Sequence, residues 1–301
     1  MWIVLYTILV GYLLLLVLYA KWWHTASKSV KTIPATTQHR FSILIPARNE
    51  AENIKQCLAS IAALDYPASD YEVIVIDDFS TDDTVNIVNQ MPGVRLIQLS
   101  DIIHSPINSY KKKAIEAGMA AAQFPWIVTT DADCCVPQKW LRYFNAILQN
   151  NQVQFVAAPV TMKNGNSFLE VFQSLDFMSL QGITAAAASA GFHHMCNGAN
   201  LCYSKHAFEK VEGFKHIDHI ASGDDMLLMQ KIADVFPGGI AYCKEKEATV
   251  LTQPVRTIKD FLMQRIRWAS KATSFRDVRI KAVLVGVYLF NLFLLLLMPA
   301  A

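Results

Sequence analysis

The stretches FSILIPARNE (residues 41–50) and YEVIVIDDFS (residues 71–80) decide the fold. Each begins with an apolar run rich in β-formers and ends in polar residues that are typical of a turn. A helical pattern follows each run, over residues 50–63 and 81–89, with Ser80 in position to cap the second helix. This alternation predicts strands of a buried parallel sheet that are connected by helices.

The same alternation continues along the chain. VRLIQL (residues 94–99) and WIVTTDAD (residues 126–133) predict two more strands, and the Ala-rich segment 111–122 between them predicts a helix. The remaining predicted elements are helices over residues 138–149, 167–180 and 223–235 and one strand, VQFVAAPV, over residues 153–160. The fold class is therefore α/β, with a Rossmann-like, mostly parallel sheet of nucleotide-binding character.

Two uncharged apolar runs lie near the ends of the 301-residue chain, over residues 2–20 and 282–301. Each is long enough to cross a hydrocarbon core of about 30 Å. A cleaved signal peptide explains the first run poorly, because no basic segment precedes it and Lys21 and Trp22 follow it where small residues would be needed. We therefore expect one transmembrane helix in residues 1–22 and another in residues 282–301.

Basic residues flank both apolar runs on their inner sides. They are Lys21, Lys28 and Lys31 after the first run, and Lys271, Arg276, Arg279 and Lys281 before the second. By the positive-inside rule, both flanks are cytoplasmic. This predicts an integral protein of a bacterial-type inner or plasma membrane, with the segment between the spans in the cytoplasm. The amphipathic pattern in residues 256–281 fits an interfacial helix and an ordinary surface helix equally well.

Composition restricts the partners and the compartment. A formal net charge of +2 offers no argument for a nucleic-acid partner, and we expect none. The six cysteines show neither a C-x-x-C pair nor the spacing of a zinc site. Free thiols in a reducing compartment are the expected state of these side chains.

Acidic residues stand where three predicted strands end. Glu50 follows the first strand, Asp77 and Asp78 end the second, and Asp131 and Asp133 end the fourth. In open α/β sheets, ligands bind outside the carboxyl ends of the strands. Carboxylates gathered at that edge repel one another, and a hard divalent cation that bridges to a diphosphate relieves the repulsion. The joint placement therefore predicts a Mg²⁺ or Mn²⁺ site, although an isolated Asp-x-Asp pair is a weak signal.

Seven motifs extend this pattern over residues 41–268. They are ILIPARNEAENI (43–54), VIDDFSTDDT (75–84), KKKAIEAG (111–118), TDAD (130–133), NGANLCYSK (197–205), SGDDMLL (222–228) and QRIRW (264–268). In this order they resemble the motifs of the family 2 glycosyltransferases of the GT-A fold. The pattern is most similar to the membrane-bound branch with cellulose, hyaluronan and chitin synthases and ceramide glucosyltransferase.

The resemblance implies an activity and a domain. The expected protein is a metal-dependent, inverting hexosyltransferase with a GT-A domain over residues 38–255. Its donor would be a nucleotide sugar, with UDP as the expected nucleotide, and its acceptor a hydroxyl of a lipid or saccharide beside the membrane bilayer.

The resemblance also implies roles for single residues. On the donor side, Ala47 and Glu50 would hold the base and ribose, Asp78 would bond the base, Lys111 or Lys112 would lie near the donor, Asp131 would reach the ribose or sugar, and Asp133 would bind the metal. Asp225 would be the general base, and Arg267 would bind the donor by clamping its diphosphate. On the acceptor side, Trp268 would stack on the acceptor, and Gln264 would complete that motif. Asp224 replaces the family's glutamate, which leaves its role open. Asn197 and Gly198 fit an acceptor site and a simple turn equally well.

The chemistry requires such a set of groups. Displacing a nucleotide diphosphate from an anomeric carbon needs positive charge at the leaving group, which a metal ion and the planar fork of an arginine supply. A carboxylate on the opposite side must accept the proton of the attacking hydroxyl. One base and direct attack imply inversion at the sugar carbon.

Three other activities compete with this hypothesis. Transfer to a polyprenyl phosphate needs no deprotonation, so loss of the Asp225 carboxylate would cost little there. A nucleotidyltransferase acting on a sugar phosphate shares the sheet and the metal but has no evident need for Asp225 or for the Arg267–Trp268 pair. A receptor that binds nucleotide sugars without turnover has no need for a positioned base at all.

Overall fold

The computed structural model describes residues 2–25, 30, 33, 39–104, 109–163, 165–192, 195–220, 223–270 and 277–297. The strands are β1 (Phe41–Ala47), β2 (Tyr71–Asp77), β3 (Val94–Gln98), β4 (Trp126–Thr129), β5 (Phe155–Ala157), β6 (Val160–Met162), β7 (Leu201–Ser204), β8 (Ile240–Tyr242) and β9 (Val250–Thr252). The helices are α1 (Trp2–Thr25), α2 (Ile54–Ala62), α3 (Thr84–Asn89), α4 (Tyr110–Ala121), α5 (Trp140–Ile147), α6 (Phe168–Ser189), α7 (Lys205–Lys210), α8 (Asp224–Val235), α9 (Ile258–Ala269) and α10 (Val278–Leu297). Short 3₁₀ turns cover Ala68–Asp70, Leu99–Asp101 and Lys246–Ala248.

A seven-stranded sheet in the order β3-β2-β1-β4-β7-β5-β8 forms the centre of the molecule. The first four strands in that order are parallel, β7 runs antiparallel to both of its neighbours, and β5 pairs with β8 in parallel. The predicted mostly parallel α/β sheet is confirmed. The chain adds β2 and β3 on one side of β1 and then places β4 on its other side, so a crevice opens between the carboxyl ends of β1 and β4.

Hydrophobic burial on both faces explains why these strands form. The strands β1 and β2 are almost entirely buried, and helices cover both faces of the sheet with two separate clusters of apolar side chains. A strand that is buried on both faces has a continuous run of apolar residues, as β1 and β2 do, whereas the edge strand β3 is only partly buried. The sheet edge where these runs end is therefore the place where polar residues accumulate.

The predicted strand VQFVAAPV is divided between two sheets. β5 belongs to the large sheet, whereas β6 pairs with β9 in a separate two-stranded sheet. Pro159 stands between the two strands and has no N–H to donate to a ladder, so the chain changes sheets at this residue. The carbonyl of Pro159 accepts the N–H of Val250 at 3.1 Å, which joins the crossing to the start of β9.

Asn200 stabilises this crossing from within the core. Its side chain is fully buried, and its amide nitrogen donates to the carbonyls of Pro159 at 2.7 Å and of Ala248 at 2.9 Å. Its amide oxygen accepts the indole N–H of Trp140 at 2.8 Å. One side chain therefore connects α5, the β5–β6 crossing and the segment before β9.

Other helices differ from the predicted ones in length. α3 begins at Thr84, three residues later than predicted, and Ser80 accepts a hydrogen bond from the N–H of Asn49 instead of capping this helix. α6 begins at Phe168, one residue after the predicted start, with a capping box between Ser167 and Glu170, and it extends nine residues further than predicted, to Ser189. The poly-Ala stretch that forms its last turns is buried.

α4 lies unusually close to the sheet. A Cβ atom at Gly118 would come within 2.9 Å of Ile76 Cδ1 and 3.1 Å of Leu44 Cδ1, and both of these side chains are fully buried. Only a residue without a side chain permits this approach. The helix is therefore seated directly on β1 and β2.

Two of the described helices, α1 and α10, are long and apolar enough to cross a membrane. The rings of Tyr12 and Phe290 stack between them at 4.1 Å. Both helices also reach Phe192 after α6, through the Trp22 ring at 4.8 Å and the Arg279 guanidinium at 5.7 Å. Of the predicted flanking cations, Lys28, Lys31, Lys271 and Arg276 lie outside the described residues.

Helices α6 and α9 pack against each other and together expose an apolar surface. The rings of Phe172 and Phe261 meet at 5.9 Å, and Arg265 forms an ion pair with Asp176 at 2.5 Å. The exposed apolar side chains of this surface are Phe168, Val171, Phe172, Leu175 and Met178 on α6 and Ile258, Leu262, Met263 and Ile266 on α9. We call these nine residues the α6–α9 face.

We predict that Asn200→Ala lowers the free energy of unfolding by about 3 kcal/mol, because it leaves buried hydrogen-bonding groups of Trp140, Pro159 and Ala248 without their partner. Urea unfolding of the detergent-solubilised protein, followed by tryptophan fluorescence, measures this loss. Asn89→Ala at the exposed end of α3 is the matched control, with an expected change within about 0.5 kcal/mol. Equal effects of the two substitutions would contradict the structural role of Asn200.

Candidate active site

Hydrogen bonds tie together the loops that leave β1 and β2. The N–H of Asn49 donates to the Ser80 hydroxyl at 2.9 Å, and the Asn49 amide oxygen accepts the N–H of Thr81 at 2.8 Å. The N–H of Glu50 donates to the Thr84 hydroxyl at 2.8 Å. The carboxyl ends of the two strands therefore form one continuous rim.

Two residues of this rim have left-handed backbone conformations. Asn49 and Phe79 both have a φ angle of 55°. Asparagine tolerates this region, but a phenylalanine there is strained. The Phe79 ring packs edge-on against Tyr110 at 5.6 Å, which helps to hold this conformation. Strain of this kind is common where a backbone must turn sharply beside a binding site.

Asp78 lies at the inner side of the rim. Its N–H donates to the carbonyl of Ala47 at 2.8 Å, and its carboxylate lies 3.8 Å from the guanidinium of Arg48. Burial raises the pKa of Asp78, and the charge of Arg48 opposes that rise. The Oδ1 atoms of Asp77 and Asp78 are buried and have no hydrogen-bond partner among the described residues. Buried acceptors of this kind suit a ligand that carries a donor.

The turn after β4 presents Asp131 and Asp133. The Asp133 carboxylate accepts hydrogen bonds from the hydroxyl of Thr252 on β9 at 3.2 Å and from the thiol of Cys134 at 3.3 Å. Burial and the charge of Asp131 raise the pKa of Asp133. Burial also raises the pKa of Glu50, and the charges of Asp133 and Asp131 add to that effect. Glu50, Asp131 and Asp133 therefore share one electrostatic environment.

The side chain of Lys111 offsets part of this negative charge. Its ammonium nitrogen lies 2.7 Å from Asp131 and 4.0 Å from Asp224. Burial alone would lower the pKa of Lys111, but the carboxylates of Asp131, Asp224 and Asp225 together raise it above its usual value. Lys112, the alternative left open by the sequence, is directed into the core instead, where it donates to the carbonyl of Ile220.

Asp225 stands at the first turn of α8, after a left-handed Gly223 with a φ angle of 84°. One of its carboxylate oxygens accepts the N–H of Gly198 at 3.0 Å, and the other accepts the N–H of Met226 at 2.8 Å. The carbonyl of Gly198 in turn accepts the Thr129 hydroxyl at 2.9 Å. These hydrogen bonds connect the Asp225 carboxylate through Gly198 to Thr129 of β4, so they fix its orientation relative to that strand.

One cavity at the carboxyl edge of the sheet is lined by four of these groups, Lys111, Asp131, Asp224 and Asp225, whereas Glu50, Asp78 and Asp133 lie outside its lining. Its polar lining includes Lys111, Thr130, Asp131, Gly198, Asp224 and Asp225. Three separate parts of the chain, around residues 111, 131 and 225, thus converge on one space. Asn197 borders it through the turn in which its side chain accepts the N–H of Ala199 at 3.0 Å.

The QRIRW segment lies on α9, apart from these carboxylates. The Trp268 ring packs against Phe177 at 5.8 Å and under the Arg265 guanidinium at 4.4 Å, while Arg267 is exposed. The Oε1 atom of Gln264 is buried without a hydrogen-bond partner among the described residues. Within that part of the chain, no hydrogen bond or ion pair joins Gln264, Arg267 or Trp268 to the acidic residues of the cavity.

Three supporting residues received no role from the sequence. Arg48 pairs with Asp78, and Thr252 and Cys134 bond Asp133. Arg48 and Cys134 are neighbours of predicted motif residues, which is a usable signal. Thr252 follows Asp133 by 119 positions, and only the pairing of Cys135 with Leu251 brings it close.

Comparison with known proteins places the chain in a family. Residues 42–211, more than half of the chain, match the sequence profile described as glycosyl transferase family 2. The chain belongs to this family. The match includes Lys111, Asp131 and Asp133, whereas Asp225 and α9 lie beyond it.

Curated relatives of this family 2 glycosyltransferase are distant. The poly-beta-1,6-N-acetyl-D-glucosamine synthase of Staphylococcus epidermidis is 26% identical over 230 residues, which are 76% of this chain and 53% of that protein. The glycosyltransferase AglE of Haloferax volcanii is 27% identical over 195 residues, which are 64% of this chain and 61% of that protein. The chain thus spans little more than half the length of the relatives it matches.

Solved structures confirm the GT-A fold. The mannosyltransferase PcManGT of Pyrobaculum calidifontis, in complex with GDP-Man and Mn²⁺, matches with a TM-score of 0.67 and 20% identity, over 96% of this chain and 81% of that one. S. aureus TarS 1–349 in complex with UDP-GlcNAc matches with a TM-score of 0.54 and 17% identity, over 72% of this chain and 59% of that one.

Proposed function

We propose that the chain is an inverting hexosyltransferase that transfers a sugar from a UDP-sugar to a hydroxyl of a lipid or saccharide acceptor beside the membrane. The observation that carries the proposal is the shared cavity of Lys111, Asp131 and Asp225 at the carboxyl edge of the sheet. It provides a cation for the donor side and an oriented carboxylate for the acceptor side. The family membership and the UDP-GlcNAc bound by S. aureus TarS support this choice of donor.

The donor nucleotide fits the rim formed by β1 and β2. In the proposal, the buried oxygen of Asp78, which has no hydrogen-bond partner among the described residues, would accept a hydrogen bond from the base beside the Ala47 backbone. Glu50 lies further along the same rim, within electrostatic range of Asp131. In the proposal, Ala47, Glu50 and Asp78 hold the nucleoside and Asp131 holds its ribose or the donor sugar.

The acidic set at this edge also fits a divalent cation bound together with a diphosphate. Burial raises the pKa values of Asp133 and Glu50, and the charge of Asp131 adds to both rises. Carboxylate oxygens are ligands that Mg²⁺ and Mn²⁺ prefer. Among the described residues, no group of three or more His, Cys, Asp or Glu side chains is arranged to hold an ion alone. We propose Asp133 as the protein's ligand, with diphosphate oxygens completing the coordination. When bound, the ion supplies positive charge to the leaving diphosphate.

The chain's own residues perform the remaining steps in this mechanism. The Asp225 carboxylate, fixed by Gly198 and Met226, accepts the proton of the acceptor hydroxyl. The hydroxyl oxygen then bonds the anomeric carbon from the face opposite the diphosphate, whose bond to that carbon breaks. Lys111 and Arg267 would stabilise the negative charge that develops on the diphosphate. An α-linked donor gives a β-linked product.

The acceptor is proposed to enter along α9. The Trp268 ring lies there against Phe177 of α6. The buried oxygen of Gln264, on the same helix, has no hydrogen-bond partner among the described residues. An aromatic ring stacks well on the apolar face of a sugar or on a lipid chain. Asn197, Gly198 and Asp224 would line the inner end of this path.

We further propose that α1 and α10 cross the membrane, with the glycosyltransferase domain on the cytoplasmic side. The buried ring of Tyr19 in α1 packs with Ala186 and Ala187 at the end of α6, so the helix that carries part of the α6–α9 face contacts a candidate span. Apolar patches of this size are rare on surfaces that meet only water. The α6–α9 face is therefore proposed to rest in the bilayer interface.

Removing the base tests the mechanism. We expect Asp225→Asn to reduce sugar transfer about a thousandfold, because the amide cannot accept the hydroxyl proton, while donor affinity stays within about threefold. UDP release with and without acceptor, together with UDP-sugar titration, measures both quantities. Asp234→Asn, at the exposed far end of α8, is the matched control. Near-normal transfer by Asp225→Asn would favour a polyprenyl-phosphate acceptor instead.

Removing the metal or its ligand tests the donor side. EDTA should abolish transfer and added Mn²⁺ or Mg²⁺ should restore it. In Asp133→Asn the metal concentration for half-maximal activity should rise more than about tenfold, because one charged ligand is lost. Asp101→Asn, which changes an exposed acid, should leave the metal dependence unchanged. Full activity in EDTA would refute the metal assignment.

Lipid labelling tests the membrane contact. In nanodiscs whose lipids carry diazirine groups on their acyl chains, illumination should label Phe168, Leu175 and Leu262 as well as α1 and α10. Peptide mass spectrometry locates the adducts. Ile102 is the internal control, because it is 56% exposed, as Leu175 is at 55%, yet lies outside the α6–α9 face. Labelling confined to α1 and α10 would contradict an interfacial position of α6 and α9.

A further inference from the structure

The three consecutive lysines that open α4 have three different surroundings. Lys111 faces Asp131 and Asp224 in the cavity. Lys113 is half exposed and pairs with Glu116 one turn along the same helix, at 2.6 Å. Lys112 is only 1% exposed, and its ammonium group donates to the backbone carbonyl of Ile220, 108 positions away in sequence.

A buried lysine at this position is energetically costly. Removing an ammonium group from water is unfavourable unless the protein supplies hydrogen-bond partners. The other inward residues of α4, Ala114, Ile115 and Met119, are apolar, as expected for a helix that covers a sheet. Lys112 therefore departs from the pattern of its own helix, and its hydrogen bond to a distant segment offsets part of the cost.

That segment precedes the acid pair of α8 in the sequence. Ile220 forms a turn in which its N–H donates to Ile217, and Ile217 itself is buried. The left-handed Gly223 follows, and α8 starts with Asp224 and Asp225. A hydrogen bond to the carbonyl of residue 220 thus holds the backbone five residues before Asp225.

The first turn of α4 therefore makes two contacts near the start of α8, one with a side chain and one with the backbone. Lys111 reaches the Asp224 side chain, and Lys112 reaches the Ile220 backbone. α4 itself is seated on β1 and β2 at Gly118. The acid pair is thereby held relative to the strands whose ends form the donor rim.

We propose that Lys112 is a positioning residue that sets the distance of the Asp225 carboxylate from the donor, by holding the backbone of residue 220. The proposal rests on the proposed role of Asp225 as general base. A shift of a base by about 1 Å is enough to slow a reaction up to a hundredfold. The donor site on the rim of β1 and β2 would be left unchanged by such a shift.

The test uses the three lysines as an internal series in the full chain. Lys112→Met keeps the length of the side chain and removes the donor, so the kcat of transfer should fall about tenfold to a hundredfold, with UDP-sugar affinity within about threefold of wild type. Lys113→Met, the same change one residue along, should leave kcat unchanged. Lys112→Arg keeps a cationic donor at this position, so its kcat should be much closer to that of wild type than the kcat of Lys112→Met.

A double substitution separates positioning of the base from a general structural effect. If Lys112 acts through Asp225, Lys112→Met should cause no further loss of the residual transfer in an Asp225→Asn background. An equal loss in both backgrounds, or a full kcat in Lys112→Met, overturns the proposal. Near-normal transfer by Asp225→Asn alone would instead mean that the proposed function has failed, which is a different result.

Hydrogen exchange keeps the test decisive if Lys112→Met does not fold. Lys112→Gln, which is polar but too short to reach residue 220, then takes its place with the same expected loss of kcat. In either variant, the amide of Leu227, which bonds the carbonyl of Gly223, should exchange faster than in wild type, while amides of β1 stay protected. Unchanged exchange at Leu227 together with a normal kcat refutes the role of Lys112.

Discussion

Lys111 places its ammonium nitrogen 2.7 Å from Asp131 and 4.0 Å from Asp224, two carboxylates that come from opposite halves of the chain. Without a cation at this point, the carboxylates of Asp131, after the end of β4, and Asp224, at the start of α8, would repel each other in a partly buried crevice, where water screens charges little. The ammonium group makes this approach possible. The donor side and the acceptor side of the cavity can therefore face each other across a few ångströms.

Much of the fold follows from patterns that are local in sequence. The strands β1, β2 and β3 lie within a residue of their predicted bounds, and for β1 and β2 the reason is that burial on both faces demands unbroken apolar runs. The positions of Asp78, Asp131 and Asp133 at one edge follow from the same fact, since parallel strands end on the same side. The helical pattern that begins at Ser167 likewise predicted the start of α6, which this residue caps in the structure.

Features that depend on distant partners were beyond the reach of the sequence. VQFVAAPV reads as one strand, and only the partners of β6 and β9 reveal that Pro159 moves the chain to a second sheet. Three successive lysines give no indication of which one faces the acids, because their surroundings are made by segments about 20 and 110 residues away. The motif on α9 is recognisable, yet its placement beside Phe177 depends on the packing of α6.

The close seating of α4 at Gly118 has a consequence for the contacts that this helix makes. A Cβ at this position would force the buried side-chain ends of Ile76 and Leu44 to shift, so the distance between α4 and the sheet depends on the glycine. Lys111 and Lys112 extend from this seated helix to Asp224 and to the carbonyl of Ile220. A substitution that lifted α4 from the sheet would therefore disturb both contacts at once.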